Sequence, residues 1–147
     1  MVISKKEYDT GLWLRIYKLT GLFLSVIFGA AGLVFLVIPN KVLIFFNDIS
    51  PFLGFRESPV EGVGFYLILA AAYMYLATLL AFMMYKHPEN PSFSFLLISG
   101  KSASSIISFI VFIIHYQFLI YLINGIVDGL IAVGLIFLSR RTHRGSR

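Results

Sequence analysis

The stretch FSFLLISGKSASSIISFIVFIIHYQFLIYLINGIVDGLIAVGLIFLS, residues 93–139, decides the fold. It contains two runs of 22 residues, 93–114 and 118–139, each carrying a single charge: Lys101 in the first and Asp128 in the second. At about 1.5 Å per helical residue each run reaches about 33 Å, enough to cross a hydrocarbon layer of about 30 Å. Between them stand only His115, Tyr116 and Gln117. Three residues allow a tight reversal and nothing more, so the two runs must lie side by side and antiparallel, an αα-hairpin within a membrane.

Working outward, residues 62–85 form a further charge-free run, bounded by Glu61 and by Lys86-His87-Pro88, and residues 19–38 form another. Both are long enough to span. The rest of the composition agrees. The 147 residues are 59% hydrophobic and 13% charged, with a mean hydropathy of +0.88, whereas soluble domains carry about a quarter charged residues. The expected fold is therefore all-α: a single membrane domain over 1–147 built as a four-helix transmembrane bundle. Its spans are expected near 19–38, 62–85, 93–114 and 118–139.

Two segments outside the spans have their own character. Tyr8, Leu12, Trp13, Ile16 and Tyr17 can share one side of a helix, with Lys5, Arg15 and Lys18 elsewhere, which suits a short interfacial N-terminal helix or an aromatic-anchored tail. A cleaved secretory signal fits poorly, because the apolar run after Lys18 is longer than a signal core and ends in Ile38-Pro39-Asn40-Lys41. The outer loop 39–61 is semi-apolar. Val42 to Phe46 and Phe52 to Phe55 are too short to cross and too apolar for water, so they should lie in the interface or fold back over the bundle mouth. On the other side, Asn90 is placed to cap the third helix and Pro91 to occupy its first turn.

Orientation follows from the basic residues. Nine lie on the side shared by the two termini and the 86–91 loop, and two, Lys41 and Arg56, lie on the other. Both termini are thus expected in the cytoplasm, with the protein in the cell (inner) membrane. The net charge of +5 is a topological and headgroup-binding signal. No nucleic-acid motif accompanies it.

The residues with most to explain are Lys101 and Asp128, since a charge deep in a span costs about 2.5 to 3.5 kcal/mol even on the lenient insertion scale. Measured from the cytoplasmic ends, their depths are about 12 and 16 Å, a difference that a lysine stem can cover, so an interhelical ion pair is expected. Small and polar residues gather around them: Ser104, Ser105 and Ser108 in the third span, and Asn124, Gly125 and Gly129 in the fourth. Lys101, Asp128, Asn124, Ser105 and Ser108 form the candidate ligand-binding cluster. Two readings stay open. The pair can be a structural tie that fixes hairpin register, or the polar floor of a cavity for a lipid or quinone headgroup, or a proton-coupled step. Tyr66, Tyr73 and Tyr75 in the second span are candidates to line either.

Other chemistry is excluded by residue counts. There is no Cys, hence no disulfide, thiolate or iron–sulfur chemistry. His87, His115 and His143 fall in different places, which rules out a bis-His haem within this chain. His87 with Glu89 supplies too few ligands for a metal, and Gly100-Lys101-Ser102 lacks the upstream glycine of a phosphate-binding loop. No catalytic residue, metal site or cofactor is expected, and enzyme activity is not assigned.

Taken together, the span ending in Ile38-Pro39, the semi-apolar outer segment, the Gly/Ala-rich second span with Gly62, Gly64, Ala70, Ala71, Ala72 and Ala77, the Gly100-Lys101 pair and Asp128-Gly129 resemble DoxX-like small four-helix membrane proteins. The resemblance implies an accessory or interaction subunit of a membrane oxidoreductase system, in some members linked to quinones, with a membrane-protein partner or a second copy of the chain beside it.

Overall fold

The computed structural model describes residues 5–62, 64–114 and 117–143. Five helices follow in order: α1 (Lys5–Val37), α2 (Pro39–Ile49), α3 (Gly64–Lys86), α4 (Pro91–Ile114) and α5 (Leu119–His143), with a single 3-10 turn, Ser50–Leu53, after α2. Four of them contain stretches long and apolar enough to cross a membrane: Gly11–Val37, Tyr66–Lys86, Pro91–Ile114 and Leu119–Thr142. The chain is an all-α, four-span integral membrane protein. Its outward surface is apolar in the way lipid contact demands, with Leu19, Phe23, Ile68, Phe95, Ile113 and Leu130 all more than half exposed.

Two expectations about the segments between spans are refined. The N-terminal stretch is not a separate interfacial helix but the first turns of α1, because no proline interrupts the chain before Pro39. That proline ends α1: the residue before it, Ile38, is forced off helical geometry (φ −134°, ψ 50°), and Pro39 then starts α2 at a position where its missing N–H costs nothing. The outer 39–61 segment is accordingly not all loop, since its first half is helical. Its second half is strapped down. Asn47 Nδ2 donates to the Ser58 carbonyl at 2.8 Å, and Asn47 Oδ1 accepts from the Ser58 amide at 2.8 Å and its hydroxyl at 3.0 Å. Farther along, the Arg56 amide donates to the Gln117 carbonyl at 3.3 Å and Phe55 packs edge-on against Phe112. The strap thereby joins the outer ends of α2, α4 and α5. His115 and Tyr116, at the expected reversal, lie outside the described residues.

On the opposite side Asn90 caps α4 as expected, its Oδ1 accepting from the Ser92 amide at 3.0 Å with Pro91 as the first helical residue. The start of α1 meets the end of α5 there. Thr142 Oγ1 reaches the Trp13 carbonyl at 3.5 Å, Trp13 packs edge-on against Phe137, and the Arg141 guanidinium covers both rings. The two ends of the described chain therefore share one side of the bundle.

α1 packs along α3 and α4 along α5, with sparser contact between the two pairs. Glycine makes both close approaches possible. A Cβ on Gly21 would stand 2.9 Å from the Ala81 carbonyl oxygen, and one on Gly32 would stand 3.2 Å from Met74 Cβ. Gly21 and Gly32 of α1 are thus spent within the bundle, against α3. In the second pair a Cβ on Gly129 would stand 2.9 Å from Ser105 Oγ, and one on Gly125 would meet the Phe109 ring at 3.2 Å. The buried core, with Tyr17, Leu24, Ala81, Met84, Leu97 and Leu135, fills the half of the bundle nearer the termini.

Candidate functional site

All four spans converge on Lys101 and Asp128. Lys101 lies about 15 Å along α4 from Pro91, and Asp128 about 14 Å along α5 from Leu119, so both stand near the middle of the bundle. Lys101 Nζ donates to Asp128 Oδ1 at 2.7 Å. Lys101 is fully buried and Asp128 is 3% exposed. The other two spans contribute aromatic faces: the ammonium sits 4.4 Å from the centre of the Phe28 ring on α1 and 5.0 Å from that of Tyr73 on α3. An ammonium in hydrocarbon needs compensation on every side, and here a carboxylate and two ring quadrupoles supply it. Asp128 is less well served. Its second oxygen, Oδ2, is buried with no hydrogen-bond partner among the described residues.

The serines and amide around the pair bond to one another rather than to the ions. Asn124 Nδ2 donates to Ser108 Oγ at 2.8 Å and to Ser104 Oγ at 3.3 Å, which ties α5 to two successive turns of α4. Ser105 Oγ donates to the Gly125 carbonyl at 2.7 Å, in a position that the absent side chain of Gly129 leaves open. Ser105 therefore serves helix packing, one layer away from Ser104 and Ser108. The Tyr73 hydroxyl is buried without a hydrogen bond, with Ser104 and Asp128 as its polar neighbours.

Directly beyond this layer, toward the outer side, lies a cavity of about 750 Å³. Ser104, Ser108, Asn124 and Tyr73 form its floor. Its walls are apolar, from Phe35, Leu67, Met74, Phe118 and Ile120, and Leu43 of α2 with Ser58 and Pro59 of the strap roofs it. The volume falls within the range of small-molecule sites, as does the pattern of an apolar lining with a few convergent polar groups. None of the lining residues is charged.

Of the residues singled out from sequence, Lys101, Asp128, Asn124 and Ser108 are thus brought into one neighbourhood, with Ser105 beside it. Tyr73 lines the cavity floor and Tyr66, 69% exposed, stands at its open edge, whereas Tyr75 is not among the lining residues. Sequence reasoning missed Phe28 as a partner of Lys101. The signal was present in its depth, since an aromatic residue about midway along the 19–38 span is level with the charges, but nothing in an evenly apolar helix marks which side faces inward. His87 pairs with Glu89 at 3.5 Å on the exposed loop between α3 and α4, and no cluster of three metal-ligating side chains occurs among the described residues.

No protein-family model, curated protein or solved structure matches the chain. The functional reading therefore rests on the geometry.

Proposed function

We propose that this small multi-pass membrane protein binds one amphiphile in its outer cavity, above the Lys101–Asp128 pair, with both termini in the cytoplasm. The observation that carries the reading is the cavity itself: about 750 Å³, apolar in its walls, with a floor of three hydroxyls and an amide at mid-membrane depth. A bundle needing only to hold itself together has no use for that space, because unfilled volume forfeits packing contacts. The ion pair acts as the fixed base of the site. It joins α4 to α5, and through Phe28 and Tyr73 it holds α1 and α3 at the same level, so the floor keeps its shape. A role as accessory subunit of a membrane oxidoreductase system, implied by the DoxX-like organisation, joins this reading where the amphiphile is a lipid-soluble carrier such as a quinone.

The test is native mass spectrometry of the full chain, extracted from its membrane in mild detergent. One lipid-sized adduct per chain is expected, lost in Ala70→Trp, which fills the cavity from α3, while the melting temperature is kept. Absence of any adduct, or an adduct indifferent to Ala70→Trp, overturns the reading.

A further inference from the structure

We infer that the cavity selects an uncharged amphiphile through a carbonyl oxygen at its polar end, as in an ester or a ketone, and rejects carboxylates and phosphates. This rests on the cavity being an amphiphile site and names the chemistry it recognises. Both amide hydrogens of Asn124 are used, one on Ser108 and one on Ser104. Each serine therefore has an oxygen already accepting and an O–H still to place. The Ser108 hydroxyl donates to no group among the described residues. The Ser104 hydroxyl likewise donates to no group among the described residues, and the Tyr73 hydroxyl beside it is buried without a hydrogen bond, so at least one further O–H remains. Two hydroxyl hydrogens are thus left at the base of an apolar chamber, and a carbonyl oxygen has two lone pairs to receive them.

Charge points the same way. An anionic headgroup at this depth needs a counter-charge, because burying an unpaired ion costs far more than burying a hydrogen-bonded neutral group. Lys101, the cation beneath the floor, is already committed to Asp128 at 2.7 Å, is fully buried, and does not line the cavity. The Asp128 carboxylate in turn balances that ammonium, so the pair beneath the floor is neutral overall and offers an incoming anion no net attraction. Arg56 faces a separate small recess with Gln117 and Phe112 and is not among the cavity's lining residues. A phospholipid or fatty-acid headgroup finds no attraction here, while a neutral acceptor finds donors.

The test uses three C16 probes on the purified full chain: methyl palmitate, palmitate at a pH where it is ionised, and hexadecane, with binding read by native mass spectrometry and by competition with isotope-labelled methyl palmitate. Methyl palmitate is expected to bind one per chain, at least about tenfold tighter than palmitate and about five- to tenfold tighter than hexadecane. In the donor-free floor Ser104→Ala/Ser108→Ala/Asn124→Leu/Tyr73→Phe the ester's advantage over hexadecane disappears while hexadecane binding persists. Palmitate binding as tightly as the ester, or tighter, overturns the headgroup assignment and leaves the amphiphile cavity standing, as does an ester advantage unchanged in that variant. Failure of all three probes to bind a chain that still unfolds cooperatively overturns the cavity reading and the headgroup assignment together.

Discussion

The two halves of the bundle are made from the same four helices and solve opposite problems. Near the termini, Tyr17, Ala81, Met84, Leu97 and Leu135 close the interior completely. Toward the outer side the same helices diverge around a chamber floored by Ser104, Ser108 and Asn124. The Lys101–Asp128 pair stands at the boundary. In a membrane, helix association gains little from hiding apolar surface, so tightness has to come from backbone approach and polar ties. The closed half has the approach at Gly21 and Ala81, and the pair with its rings carries the boundary. Beyond it the chain substitutes a roof, α2 and its strap, for direct packing.

Removing one partner of the boundary pair should have the largest effect. Asp128→Leu leaves a buried ammonium and is expected to cost about 3 to 5 kcal/mol, whereas Lys101→Met/Asp128→Leu together recover most of it, as read by thermal unfolding in detergent. The exchange Lys101→Asp/Asp128→Lys sharpens the point. It keeps both charges but moves the ammonium away from Phe28 and Tyr73, at about 0.5 to 2 kcal/mol per ring, so it should restore folding only in part. Full restoration would reduce the aromatic contacts to bystanders.

The next contrast deletes equal volume from each half. Leu135→Ala opens a void in the closed half and should cost about 2 to 5 kcal/mol, while Leu67→Ala merely enlarges existing space and should cost about 1 kcal/mol or less. Equal losses would mean that the outer half is as tightly packed as the inner. Adding volume tests the helix approach: Gly21→Ala should cost about 1 to 3 kcal/mol, because its methyl meets the Ala81 carbonyl and the Tyr85 amide, neither of which can yield without moving backbone. Gly134→Ala, with nothing within 4 Å of the new carbon, should be neutral or slightly stabilising in the same unfolding assay.

The effect at the roof is small and local. Asn47→Ala removes three hydrogen bonds to Ser58 but should lower global stability by only about 1 kcal/mol, since both groups lie near the outer surface, where water can replace the lost bonds. Its signature is local: faster hydrogen exchange in the strap around Ser58, with the amides of the closed half unchanged. Exchange that rises equally in both halves would contradict a local effect.

Much of this was legible in the sequence, and the reasons are particular. The spans are charge-free runs of membrane length. The meeting of α4 and α5 followed from a three-residue connection, and two lone charges at similar depth pointed to each other. What the sequence hid is which side of each span faces inward. α1 and α3 are apolar all round, so nothing distinguished Phe28 from Phe23, or Tyr73 from Tyr75, and the pairing of Gly21 with Ala81 depends on a rotation that composition does not encode. The outer segment misled in a different way. Its apolar residues were visible, but the helix in its first half depends on Pro39 restarting the chain after Ile38, a local geometric event. The cavity was invisible because it consists of what the helices fail to fill.

The native chain has no cysteine, so a single introduced thiol reports one place without interference. The most direct test of the division is to compare Ser108→Cys and Ser94→Cys, two isosteric changes on α4, one on the cavity floor and one buried in the closed half. In intact membranes a small membrane-permeant maleimide should label the thiol at 108, with methyl palmitate slowing the reaction, and should leave the thiol at 94 unmodified until the protein is denatured. Equal labelling at both positions, or labelling at 108 that no amphiphile slows, would contradict the account.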